Sequence, residues 1–426
     1  MPCHKLCLFS LFLFVACQTQ VPKPIITPSA NLPGSSPPAS ATPVPTPTPD
    51  FKLNNLIPNP GAEAALGSKP ADWDSDSYGD LRAELTWRGD DPFSGQKYLS
   101  TQVSQFGEEG DAKWFFTPVA LKGKQWYEYR DQYRSDGRSR QLYSCKDNQG
   151  KRRFFNASQT HTSPGWHESV FRFYLPHDCD VTVLHSLDRN GFLHTDHHQL
   201  RQVTAAPLNE SLISISFDDI WKTAYSRGLP ELEKRGMKGS FYITRLYTEN
   251  PADKYANRDD ILDLIKKQHE VGSHSHRHTA LSTMENPDLL EDIRKTRGLL
   301  SEMGISQSGI AYPFGDFNDK VEIEVQRYHD YARTSLAGLN DKTTSRYRLR
   351  IIPVTTDTTT EELKMWIQAA AESKSWLILL FHGLGTPEER NPYITSFEQY
   401  VDVLNDIQAK KLKVVTVEQG LKEAGL

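Results

Sequence analysis

The chain has 426 residues, a formal net charge of -5 and a hydrophobic fraction of 37%, enough material for two domains with a sizeable core. The mildly acidic balance offers no basic footprint for nucleic acid, and after the N-terminus no apolar run reaches the roughly 18 residues of a membrane-spanning helix. A monomer without a nucleic-acid partner is the expectation.

In residues 1–17 Lys5 is the only fully charged side chain, and Leu6 to Ala16 is almost wholly apolar. That is the length of a signal-peptide core, too short to span a bilayer. Leu13-Phe14-Val15-Ala16-Cys17 resembles a bacterial lipobox, with Phe14 where leucine is usual. The resemblance implies cleavage before Cys17, lipidation of its thiol, and an extracytoplasmic protein anchored to a bacterial membrane by its acyl chains; the alternative is an ordinary secretory signal. Thr19 is not the aspartate that often retains lipoproteins in an inner membrane, which points to an outer membrane or the cell surface. Cleavage leaves Cys145 and Cys179, which in an exported protein are expected to form a disulfide unless both are buried free thiols. From Gln18 to Asp50, ten of the 26 prolines stand among Ser, Thr and Ala. Such a segment cannot bury enough surface to offset its ordering entropy and reads as a disordered tether.

Residues 51–206 carry short aromatic and β-branched runs, such as Gln125-Trp126-Tyr127-Glu128-Tyr129 and Ser169-Val170-Phe171-Arg172-Phe173-Tyr174, separated by Gly, Asp, Asn and Pro. The alternation predicts half-buried strands and an all-β sandwich. The opening Asn55 to Glu63, followed by Trp73, resembles the start of jelly-roll carbohydrate-binding modules. Five of the eight tryptophans lie in this part; they are either core residues or platforms for a sugar face.

After Leu208, strand-like runs alternate with helical ones through to residue 426: Leu212–Phe217, Gly239–Thr244, Glu270–Ser273, Gly309–Tyr312, Tyr331–Ser335, Leu349–Val354, Trp376–Phe381 and Leu412–Val417. Repeated βα units imply parallel strands with right-handed crossovers that can close into a barrel. The helix predicted over Pro287–Met303 is the best marked, with proline in its first turn, an apolar stripe, and Gly304 at its end.

The polar clusters fall where parallel barrels place active sites, at the C-terminal ends of these strands. Asp218-Asp219 follow the first strand, His274 and His278 the third, Tyr312-Pro313-Phe314-Gly315 the fourth and His382 the seventh. Two imidazoles four residues apart and one carboxylate suit zinc or another divalent metal, leaving a position for water and one carboxylate spare as general base. An HxxxH pair alone is a weak motif; beside paired carboxylates at strand ends it is strong.

These residues resemble the polysaccharide deacetylases of carbohydrate esterase family 4, the NodB-homology domain, over roughly 208–420. The first family motif matches Ser216-Phe217-Asp218-Asp219 and implies Asp218 as base and Asp219 as ligand. The second matches His274-Ser275-His276-Arg277-His278 and implies both outer histidines as ligands, with His276 solvated or supporting. The fifth matches the leucine-rich strand ending in His382, which becomes the general acid. The third departs: Ala311-Tyr312-Pro313-Phe314-Gly315 lacks the expected arginine, for which Arg350 is the candidate, while the backbone N–H near Phe314, with Pro313 beside it, would face the oxyanion. The fourth motif is not recognisable. The fold implied is a distorted (β/α)7 barrel behind the sandwich, and the activity is metal-dependent N-deacetylation of a GlcNAc polymer such as peptidoglycan, an exopolysaccharide or a chitin-like chain. An O-acetyl esterase would use the same groups, and a non-catalytic sugar-binding lipoprotein is the remaining alternative.

Overall fold

The computed structural model describes residues 54–249, 251, 253–386 and 391–426; the expected signal segment, Cys17 and the tether lie outside the described residues. Asp50–Leu426 forms one compact unit, in which an antiparallel β body is followed by a parallel barrel.

The β body is built from β1 (Trp73–Arg88), β2 (Tyr98–Phe116), β3 (Gln125–Ser135), β4 (Ser139–Lys146), β5 (Arg152–Thr160), β6 (Ser163–Leu175), β7 (Cys179–Leu187) and β8 (Gly191–Val203). Their order is β5-β4-β7-β2-β8-β3-β6, with β1 paired to β2. Period-two alternation places Tyr127, Tyr129, Phe171 and Phe173 in the core of this body. Cys145 and Cys179 form a disulfide, with Cα atoms 5.5 Å apart, between the adjoining β4 and β7. The loop it closes is worth about 3–4 kcal/mol in the chain-entropy model.

The stretch Asn55–Glu63 acts as a latch on the body. Asn55 Oδ1 accepts from Leu200 N at 3.1 Å, and the carbonyls of Asn59 and Ala62 accept from the indoles of Trp73 and Trp87 at 2.9 and 2.8 Å. Trp73, Trp114 and Trp126 are buried, so most of the tryptophans that read as candidate sugar platforms are core. A buried polar network also crosses the body: Ser139 Oγ lies 2.9 Å from His185 Nε2, and His185 Nδ1 lies 2.7 Å from Asp131. The spacing is that of a catalytic triad, but Ser139 is wholly buried, so these groups satisfy one another and specify the core.

The barrel strands are β9 (Leu212–Phe217), β10 (Ser240–Ile243), β11 (Glu270–Ser273), β12 (Ile310–Ala311), β13 (Ala332–Ala337), β14 (Leu349–Pro353) and β15 (Trp376–Phe381). They are parallel, in order, and closed by pairing of β9 with both β15 and β10. The long helix runs Asn286–Glu302, one residue from its expected limits at each end, and Thr359 with Glu362 forms a capping box at the start of Thr360–Ser373. The strand expected over Leu412–Val417 is present as Lys413–Val414, paired in parallel with β9, and a helix the sequence reading did not include, Val417–Ala424, follows it.

The two parts share a core. Trp126 and Tyr174 sit on the face of β3 and β6 opposite the body's own core, and join the apolar cluster of the barrel. Phe155 meets Trp366 edge-on at 5.9 Å, Arg153 pairs with Glu362, and Arg172 donates to Thr343 at 2.8 Å.

Burial pushes the imidazoles of His198 and His269 down to about 4 and that of His329 down to about 3, from 6.5. Below pH 6.5 the unfolded chain therefore takes up protons that the folded chain refuses, and stability falls as pH drops toward 4. Asp196, pushed up to about 6 by burial, and Glu270, also raised by burial, act in the opposite sense, but His194, pushed down to about 4 as well, adds to the three imidazoles. Calorimetric Tm is expected to be roughly 5 °C or more lower at pH 4.5 than at pH 7; an equal or higher value at pH 4.5 would show that these imidazoles are not held neutral.

Candidate active site

The site is assembled from strand ends. Asp218 follows β9 directly, its N–H donating to Phe381 O at 3.0 Å, and Asp219 takes a left-handed backbone with φ 63°. Successive side chains on an extended strand point to opposite faces. The left-handed turn at Asp219 breaks that alternation, so both carboxylates line one cavity.

The loop after β11 is held by the long helix. Asp292, fully buried on that helix, accepts from His276 N at 2.7 Å and from Arg277 N at 3.1 Å. Ser275 and His278 both have positive φ, and Ser275 Oγ accepts from His278 N at 3.1 Å. The two outer histidines thereby turn inward, while His276 is buried outside the cavity, in the supporting rather than the solvated position.

His274 Nδ1 lies 2.7 Å from Ala311 O, which fixes the proton there and leaves the Nε2 lone pair free. Nε2 of His274 and of His278 stand 3.6 and 3.1 Å from Asp219 Oδ1, and that oxygen is buried without a hydrogen-bond partner among the described residues. One ligand atom from each of the three lies within 4.8 Å of the others. A buried, unpartnered carboxylate oxygen facing two imidazole lone pairs fits a divalent cation. Burial pushes His274 down to about 4, with Asp218 opposing, and pushes His278 down as well, so both are neutral at pH 7, the form that ligates.

Asp218 is held by a residue the sequence reading missed. Arg333, on β13, donates to Asp218 Oδ1, and its guanidinium lies 5.0 Å from the centre of the Tyr242 ring. Burial works against the charged form of Asp218, but Arg333, then His274 and His382, hold its carboxyl below the usual carboxylate range. Arg350 does not serve this role. Its guanidinium donates to Ala157 O at 2.9 Å and Ala337 O at 3.2 Å, at the junction with the β body. The cause is parity: on β14 it is Ile351 and Pro353 that line the cavity, so Arg350 faces outward, whereas Arg333 and Ser335 of β13 face in. Arg333 also stands in register with Ala311, the position where the third family motif has its arginine. The sequence offered only an arginine inside the strand-like run Tyr331–Ser335; its register with Ala311 is visible in the fold alone.

His382 lines the same cavity, about 330 Å³ in volume, as do Phe314 and Tyr393. Burial pushes the His382 imidazole down, and Asp218 and Asp219 pull it back up. Its Nδ1 has no hydrogen-bond partner among the described residues, in keeping with the missing fourth motif. Phe314 has φ 58°, is 65% exposed, and its ring lies 4.6 Å from His278. Pro313 is buried beside it. A Cβ at Gly315 would stand 1.9 Å from Ser335 Oγ, so this turn requires glycine.

A closed parallel barrel with proton-transfer and ligating groups gathered at its strand ends is the build of a hydrolytic enzyme. Residues 205–333 match the family model of polysaccharide deacetylase. A search of curated proteins found no match. Among solved structures the chain is similar to the CE4 domain of a multidomain xylanase from the hindgut metagenome of Trinervitermes trinervoides, at 16% identity over 51% of this chain and 93% of that one, TM-score 0.36. It is also similar to the peptidoglycan deacetylase PdaC of Bacillus subtilis, at 17% over 50% and 92%, TM-score 0.36. A third similarity is to a CE4-family pseudoenzyme of Bacillus anthracis, at 17% over 52% and 70%, TM-score 0.36.

If Arg333 positions Asp218, Arg333→Gln lowers kcat by about 10²-fold or more while zinc affinity stays within a few-fold. Adding Ala311→Arg to Arg333→Ala should restore part of the rate, because the two positions are register partners. Full activity of Arg333→Gln in steady-state kinetics would exclude the role.

Proposed function

We propose that the protein is a metal-dependent hydrolase that removes N-acetyl groups from a GlcNAc-containing polysaccharide, namely peptidoglycan, an exopolysaccharide or a chitin-like chain. It acts outside the cytoplasm, tethered by the segment 18–50 to a lipid on Cys17. The observation that carries this reading is the convergence of Asp219, His274 and His278 beside an arginine-held Asp218 in one cavity.

Zinc is the cation that the two-imidazole, one-carboxylate set suits best; when bound it supplies Lewis acidity and acidifies a water. Asp218, ionised at neutral pH and fixed by Arg333, takes a proton from the water as its oxygen attacks the acetamide carbonyl carbon. The Phe314 N–H is assigned to the carbonyl oxygen, whose negative charge grows during attack. His382 gives a proton to the amide nitrogen as the C–N bond breaks. One water is consumed, and acetate and a free amino sugar leave, so the polymer moves from neutral toward cationic.

The test is acetate release by the protein from residue 51 onward, with zinc or cobalt, from peptidoglycan, β-1,6- and β-1,4-linked GlcNAc chains and O-acetylated xylan. Release from a GlcNAc polymer is expected, abolished by chelator and by His274→Ala. Asp218→Asn should lower kcat by about 10²–10⁴-fold and still bind metal. Release from xylan alone would make the protein an esterase, and undiminished turnover in Asp218→Asn would remove that residue from the mechanism.

A further inference from the structure

We propose that the β body supplies part of the substrate cleft. Its β4–β5 hairpin forms one wall of a groove that holds the sugars flanking the acetylated residue. The inference rests on the polysaccharide-hydrolase reading above. A second cavity of about 620 Å³ lies between the hairpin and the barrel, and Ser335 and Pro353 line both it and the catalytic cavity. The groove thus adjoins the cavity where acetyl would be removed, with Ser335 and Pro353 as the shared wall. The catalytic cavity, about 330 Å³, is at the lower end of the range that encloses one small ligand. A polymer entering it must lay its neighbouring sugars outside, and the adjoining groove is the extension that the fold provides.

The hairpin is built as a rigid wall. Its turn is closed by Asp147, which accepts from Lys151 N at 2.9 Å and Gln149 N at 3.0 Å, and β4 is tied to β7 by the disulfide. On β5, Arg153 and Phe155 are spent on the barrel helix, through Glu362 and Trp366. The alternate residues Arg152 and Phe154 remain exposed while lining the groove, as does Lys151. Phe154 is 58% exposed, so its ring is open to an apolar partner. The face of a pyranose ring is such a partner, and Arg152 and Lys151 can donate to sugar hydroxyls or carboxylates.

The distribution of exposed rings supports the same occupant. Among the described residues five aromatic side chains are classed as exposed: Tyr78, Phe93, Phe154, Phe314 and Tyr393. Three of the five line these two adjoining cavities, Phe314 and Tyr393 in one and Phe154 in the other. Stacked sugar–aromatic contacts along a line are what a chain-binding cleft needs.

The experiment compares the metal-loaded protein with Phe154→Ala and with the pair Lys151→Ala, Arg152→Ala, on GlcNAc oligomers of two and six sugars in β-1,4 and β-1,6 linkage. We expect the ratio of hexamer to disaccharide kcat/KM to fall at least tenfold in each variant, through KM. In the Asp218→Asn background, calorimetry should show hexamer Kd rising at least tenfold on Phe154→Ala, a readout that does not need turnover. Loss of activity on every oligomer by the parent would sink the deacetylase reading yet leave the binding measurement decisive for the groove. Equal hexamer Kd with and without Phe154, no hexamer binding by the parent, or equal losses on both oligomer lengths would overturn the inference. Because the three side chains are exposed, thermal melts of the variants should coincide with the parent and show that the fold is intact.

Discussion

The ion pair between Arg333 and Asp218 is the constraint on which the site depends. Both groups are almost fully buried, and they come from strands separated around the barrel by β14 and β15. Removing each charge from water costs several kcal/mol, which is recovered only when the two meet with good geometry. The pair therefore ties β13 to β9 across the barrel and orients the Asp218 carboxylate in the cavity. It also holds the Asp218 carboxyl below the usual carboxylate range. Tyr242 covers the guanidinium from the barrel wall, and burial of that whole layer holds the imidazoles neutral.

Most of the site was legible in the chain because barrel geometry turns sequence order into spatial proximity. Once the βα alternation is recognised, residues directly after strands must gather at one end, and Asp218, Asp219, His274, His278 and His382 do so. Arg333 was not legible in the same way. It lies within a strand, among Ala, Thr and Ser, where an arginine reads as a solvated edge residue, and only the register with Ala311 reveals what it replaces. Arg350 fails by one residue of parity, which on a strand is the difference between the cavity and the outer face. The arrangement of the two halves was equally hidden. Trp126 and Tyr174 fit ordinary half-buried strands, and nothing local distinguishes a face that meets water from one that meets a barrel.

That shared core changes what the β body is for. A carbohydrate-binding module joined by a flexible linker acts by raising local concentration, whereas this body packs β5 on the barrel, with Ala157 O accepting from Arg350 of β14, Gln159 donating to Phe317 O and Phe155 against Trp366 of the helix Thr360–Ser373. Its hairpin then stands at a fixed distance from the catalytic cavity, and the buried indoles are accounted for as core. The latch formed by Asn55 and Asn59, which by resemblance could mark a sugar-binding module, serves to close the body.

The measurement that tests the central claim most directly is X-ray absorption at the zinc edge of the loaded protein, alongside equilibrium binding. The account predicts one equivalent of zinc with two imidazole nitrogens and oxygen ligands at about 2.0–2.2 Å, and loss of one imidazole in a His278→Ala protein. Absence of stoichiometric binding, or a coordination sphere that His278→Ala leaves unchanged, would contradict it.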